Sequence, residues 1–227
     1  IEFEGNGGSA NLVEEGHGII SIFDVITLSD DQSLTVKGKG AESVNQLDSL
    51  DNTGITLWGT SIEGGLALDF VGKGGDGGQN NTGIEFRDAS VTTDGMINLN
   101  GTGGEGTNIK KAIGVILGQD ADEMIDDQIM GKLVGGSIFI TGKGGTSNLR
   151  KNAIDQNGND TFGETANNVG VVINQYELDA NTGSLSVTGS GGELIVHNNK
   201  TEDQEISPNK ESTAFKLEGL TINASKT

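Results

Sequence analysis

Leu68–Gly75 reads LDFVGKGG, and the phrase behind it (apolar, any, apolar, any, Gly, any, Gly, then Gly or Ala) is written six times along the chain. The other copies are IEFEGNGG (Ile1–Gly8), LTVKGKGA (Leu34–Ala41), INLNGTGG (Ile97–Gly104), IFITGKGG (Ile138–Gly145) and LSVTGSGG (Leu185–Gly192). Their starts lie 33, 34, 29, 41 and 47 residues apart. A strand-and-turn unit recurring at such a period marks a solenoid, because each unit is too small to bury a core alone and must stack on its neighbours. A second run follows a polar loop in each unit: TGITL (Thr53–Leu57), TGIEF (Thr82–Phe86), IGVIL (Ile113–Leu117) and VGVVI (Val169–Ile173). The last unit has TAFKL (Thr213–Leu217), and the first has HGIISI (His17–Ile22) in a looser register. A third short run comes next, as VITL (Val25–Leu28), TSIE (Thr60–Glu63), ASVT (Ala89–Thr92), YEL (Tyr176–Leu178) and LTI (Leu220–Ile222). The fourth unit lacks a clean copy, and Gln119–Gly136 stands in its place. Three short β runs per period predict an all-β chain, a right-handed single-stranded parallel β-helix of about six coils.

Alternation assigns the faces. Side chains of a strand point to opposite sides in turn, so Ile1/Phe3, Leu34/Val36, Leu68/Phe70, Ile97/Leu99, Ile138/Ile140 and Leu185/Val187 are the expected inward pairs. Between them stand Glu2, Thr35, Asp69, Asn98, Phe139 and Ser186, all polar but one. The repeated glycines fit a corner that needs positive φ or close backbone approach. Length varies mainly between that corner and the second run, being short over 76–81 and long over 146–168 and 193–212. Insertions at a fixed place in a repeat emerge on one side.

Composition bounds the rest. An apolar fraction of 33% with few aromatic residues suits a narrow aliphatic core, and 38 glycines against one proline, without a Gly-X-Y period, exclude collagen. The formal charge of −19 opposes binding to nucleic acid or anionic membrane, and no apolar run is long enough to span a bilayer. The absence of cysteine rules out disulfides and thiolate metal sites. With a repeat running from end to end and no start Met, residues 1–227 read as one continuous β-helix, an internal piece of a longer chain.

Candidate chemistry is sparse. Gly72/Gly74/Gly77 and Gly101/Gly103/Gly106 match G-x-G-x-x-G, but polar loop sequence follows where a dinucleotide site needs a helix. Glu2 and Asp69 are outward acids two coils apart with Thr35 between them, a poor catalytic pair. Trp58 and Tyr176 are single, Arg87 and Arg150 are the only arginines, and His17 and His197 read as solvated. In DQNGNDTFGE, Asp155, Asn157 and Asn159 have the D-x-N-x-N spacing that presents oxygens to Ca²⁺, with Asp160 where an EF-hand has Gly. Ca²⁺ there is the one cofactor considered. Asp120, Asp122, Glu123, Asp126 and Asp127 form an acidic cluster within a segment, Asp120–Met130, that also reads as a helix.

The glycine corner and the following GIxL strand, recurring over essentially the whole chain, resemble the β-helical repeats of filamentous-haemagglutinin-type bacterial exoproteins, many exported by two-partner secretion. The resemblance implies an extracellular or cell-surface location and no catalytic residues. The expected function is a non-enzymatic stalk or fibre segment of an adhesin or matrix protein. Its partners would be surface or matrix glycans or proteins, together with neighbouring coils of the same chain or end-to-end copies. A carbohydrate-binding β-helix and a polysaccharide lyase or hydrolase are the alternatives.

Overall fold

The computed structural model describes residues 1–10, 16–43, 51–77, 80–107, 111–118, 131–154, 160–162, 168–181, 183–197, 215–218 and 221–223. Three six-stranded parallel sheets run along it, and each coil contributes one strand to each sheet. The first sheet holds Glu2–Asn6, Ser33–Lys39, Ala67–Lys73, Met96–Thr102, Ser137–Lys143 and Leu185–Ser190. The second holds Ile19–Ile22, Ile55–Trp58, Ile84–Arg87, Val115–Leu117, Val171–Asn174 and Phe215–Glu218. The third holds Val25–Leu28, Ser61–Gly64, Ser90–Thr92, Lys132–Gly135, Glu177–Ala180 and Thr221–Asn223. The protein is a parallel β-helix of six coils.

Register follows the repeated phrase. Leu34 pairs with Leu68, Leu68 with Ile97, Ile97 with Ile138 and Ile138 with Leu185, so equivalent residues form columns. The inward pairs of coils two to five are buried, and Leu185 and Val187 pack against the same core half-buried. Ile1 and Phe3 belong to the same columns, in the first coil, and are 58% and 50% exposed. The core admits few rings: Phe70 and Phe86 meet edge to face at 5.2 Å, and Tyr176 is the other buried ring among the described residues.

The glycines of the repeated phrase, Gly8 apart, serve close approach, not positive φ. Among the described residues the positive-φ glycines are Gly59, Gly64, Gly65, Gly77, Gly118 and Gly131, and of these only Gly77 lies at the tail of a repeat. At Gly72 a Cβ would strike the Gly83 carbonyl and come within 2.5 Å of Ile84 Cγ1. Gly38 stands the same way against Gly54 and Ile55. Backbone of the first and second sheets meets there too closely to leave room for side chains. Beside it runs a buried row the repeated phrase does not reveal, Asn52, Asn81 and Asn168, with Ala112 in the fourth coil. Asn52 Nδ2 donates to Gly77 O at 3.0 Å and to Asn81 Oδ1 at 3.3 Å, and the Asn52 carbonyl accepts from Gly75 N at 2.8 Å.

The turn between second and third sheets is a single left-handed residue. Phe23, Gly59, Asp88 and Gln175 occupy it in register, with φ of 54°, 59°, 51° and 51°. The fourth coil departs from this pattern, and two expectations are corrected there and in the first coil. Lys132–Gly135 is the third strand of the fourth coil, Leu133 taking the inward place between Val91 and Leu178. The insertion that displaces it hides it, since only one apolar side chain of KLVG faces inward. HGIISI is in full register, Ile19 opposite Ile55, which leaves Ser21 opposite Leu57 and turns Ile20 and Ile22 outward. At the glycine corner, further strands lead outward: Ser9–Ala10, Glu42–Ser43, Glu105–Thr107, Thr146–Ile154 and Glu193–His197. The fifth coil's outer strand folds back against Asp160–Phe162.

Candidate functional site

The outward face of the second sheet gathers the residues that are scarcest in this chain. One row runs Ile20, Thr56, Glu85, Ile116, Val172, and the next runs Ile22, Trp58, Arg87. From Thr56 to Val172 the first row is buried, so this sheet is dry on both faces in its middle coils. Ile116 and Val172 make a small second core there with Ile113 and Val169. In the polar half of the strip, His17 Nδ1 lies 2.9 Å from the Thr56 hydroxyl, and Arg87 Nε donates to Glu85 Oε1 at 2.6 Å. Glu85 is 6% exposed, and a carboxylate so deeply placed needs such a charge-assisted partner.

The second row emerges from cover. Trp58 is 43% exposed and Phe23 71%. Their rings stand 6.1 Å apart at 40°. Gly59 makes the space for Phe23, since a Cβ there would collide with the ring. Over three successive coils the ridge therefore carries Phe23, Trp58, then Arg87 and the exposed Asp88. An aromatic body beside a planar guanidinium and carboxylates is the side-chain chemistry that grips an amphipathic small ligand. No family model, curated protein or solved structure matches the chain. Function therefore has to be argued from this geometry.

The remaining candidates separate. Glu2 accepts from Lys37 Nζ at 2.5 Å, and Asp69 accepts from Asn98 Nδ2 at 2.5 Å, so the two acids do not converge. The hydrogen bond and charge of Lys37 hold the Glu2 carboxyl below its ordinary range, and Glu2 in turn raises the Lys37 ammonium. Lys39 and Glu42 shift one another in the same senses. Both pairs are solvent-exposed, where ion pairs contribute little stability. Tyr176 is a core residue, fully buried, its hydroxyl donating to the Ala89 carbonyl at 2.6 Å.

Asp155, Asn157 and Asn159 of the Ca²⁺ candidate lie outside the described residues, as do the acidic cluster at 120–127 and the helical reading of 120–130. For Asp160, as for Arg150 and His197, the backbone alone is described, within Asp160–Phe162, Thr146–Ile154 and Glu193–His197. Among the described residues no group of three or more His, Asp or Glu side chains converges to hold a metal. His17 is corrected from a solvated histidine to a half-buried one bonded to Thr56. Glu85 and Phe23 escaped sequence reasoning altogether. The signal was available: laying NTGITLWG over NTGIEFRD puts Thr56 over Glu85 and Trp58 over Arg87.

Proposed function

We propose that this chain is a structural, non-enzymatic segment of an extracellular adhesin or matrix fibre, with the β-helix as its stalk. The observation that carries the proposal is the continuity of the ladders. Three parallel sheets pass through all six coils over one core, so the ladders run unbroken along the stack. A ladder of this kind is lengthened by adding in-register coils, from the same polypeptide or from a stacked copy. Load along the axis is then shared, at each junction between coils, by the backbone hydrogen bonds of the three ladders.

Glu2 and Asp69 of the first sheet support the non-enzymatic part, because they are engaged by Lys37 and Asn98 and are set apart by Thr35. The test is incubation of the whole chain with neutral and acidic polysaccharides, followed by measurement of new reducing ends and of unsaturated uronate absorbance. No product is expected; reproducible chain cleavage lost with active-face variants would replace the stalk by a lyase or hydrolase.

A further inference from the structure

We infer that the buried asparagine row binds one internal water molecule at its fourth-coil rung, where Ala112 stands in the place of asparagine. The inference rests on the fold alone and is independent of the stalk reading. The row runs Asn52, Asn81, Ala112, Asn168 through successive coils, in a register set by Asn52 N donating to Asn80 O and Asn81 N donating to Lys111 O, both at 2.8 Å. None of the four residues is more than 1% exposed.

Hydrogen bonding fixes which way the amides face. The Gly77 carbonyl accepts from Asn52 at 3.0 Å, so the atom it meets is Nδ2. The same Nδ2 donates to Asn81 at 3.3 Å, so Asn81 presents Oδ1 to it. Turning Asn52 over would set its oxygen against Gly77 O, and turning Asn81 over would set donor against donor. Asn81 Nδ2 is thereby left on the side away from Asn52, which by register is the side of Ala112. It has no acceptor in the protein, and a fully enclosed N–H left so is costly.

The rung offers space as well as need. In the other coils the asparagine lies against a glycine of the repeated phrase. A Cβ on Gly75, Gly104 or Gly192 would come within 2.8, 2.9 and 2.9 Å of the Cβ of Asn52, Asn81 and Asn168 respectively. Ala112 keeps that backbone place, its carbonyl accepting from Gly145 N at 2.9 Å, but lacks Cγ and both amide heavy atoms. Three heavy atoms withdrawn from such a slot leave about the share of one water, on the order of 30 Å³.

Chemistry selects the occupant. An N–H donor repels a cation, the chain's charge of −19 opposes an enclosed anion, and an apolar guest would leave Nδ2 unsatisfied. Water accepts from Asn81 and donates in turn. The Gly106 carbonyl is by register the counterpart of the Gly77 carbonyl that serves Asn52.

The test is water-to-amide cross-relaxation in the whole nitrogen-15-labelled chain. The Asn81 side-chain amide should show a cross-peak whose sign marks a long-lived water. The Asn52 amide, committed to Gly77 O and Asn81 Oδ1, should show none. Ala112→Asn, which supplies an Oδ1 to the row, should abolish the Asn81 cross-peak and raise the thermal midpoint by about 2–4 °C. Ala112→Val, of similar bulk but without an acceptor, should abolish it and lower the midpoint by several degrees. The inference is overturned by the lack of a water cross-peak at Asn81 in the wild type, by its survival in Ala112→Asn, or by midpoints that do not move in opposite directions in the two variants. Equal cross-peaks at Asn52 and Asn81 would also overturn it, since bulk solvent would then reach the whole row.

Discussion

Tyr176 offers the sharpest test of how the coils lock together. Its ring belongs to the fifth coil, passes over Gly131 in the fourth, and places its hydroxyl 2.6 Å from the Ala89 carbonyl in the third. Gly131 makes this possible: a Cβ there would come within 2.6 Å of Tyr176 Cε2 and would also strike Ala89 O. The Ala89 carbonyl accepts a second bond, from Lys132 N at 3.0 Å. Tyr176→Phe therefore leaves that carbonyl satisfied and should cost only about 1 kcal/mol. Tyr176→Ala empties a site spanning two coils and should cost about 3–5 kcal/mol. Burial, aided by the charge of Asp88, pushes the phenol far above its ordinary value of 10.0. Folded Tyr176 thus keeps its proton where the unfolded chain has lost it. The unfolded state then binds fewer protons, and stability falls as pH rises above about 10, by up to about 1.4 kcal/mol per unit from this group. Urea unfolding of wild type and Tyr176→Phe from pH 8 to 11.5 isolates that slope, because the lysines are common to both. Tyr176 is the only tyrosine, so absorbance near 295 nm follows it directly. A native phenol titrating near pH 10, or a Tyr176→Ala cost below about 1 kcal/mol, would refute this packing.

Ile140→Asp should cost several kcal/mol, seen as a lowered urea midpoint or failure to fold, since it buries an unpaired charge in a fully enclosed column. Gly72→Ala should destabilise by about 2 kcal/mol or more through collision with the Gly83 carbonyl, whereas Gly8→Ala, whose Cβ would meet nothing, should be neutral or slightly stabilising. Replacing Lys37 with Met, which breaks its exposed pair with Glu2, should leave the thermal midpoint almost unmoved, and a drop of more than a few degrees would contradict the assignment of that pair as marginal.

Much of the fold was legible because stacking repeats one local rule. A spacing of Leu68, Phe70, Gly72 states inward, inward, backbone contact, and six copies state the register between coils. What escaped was set by tertiary geometry. The vertex glycines look like turn residues in sequence, yet their work is to let two sheets converge, which no local pattern distinguishes from positive φ. KLVG was hidden because a strand with one inward side chain carries almost no periodicity once an insertion displaces it. The candidate ridge was least legible. Trp58 and Arg87 are 29 residues apart and become neighbours only when the second strands are stacked, and Phe23 is brought beside Trp58 only by a left-handed corner.

The central claim, six parallel coils in register over one core, is tested most directly by a single distance. Glu2 and Ser186 face outward in the first and last strands of the first sheet, 184 residues apart in sequence and five coil steps apart in the stack. The chain has no cysteine, so Glu2→Cys/Ser186→Cys takes spin labels at those two positions alone. At about 4.8 Å per coil the backbone separation should be about 24 Å, and pulsed electron–electron resonance should give one narrow distribution near that value, broadened by the label tethers. A broad distribution centred near 70–80 Å, the span expected of about 184 flexibly coiled residues, would contradict the stack.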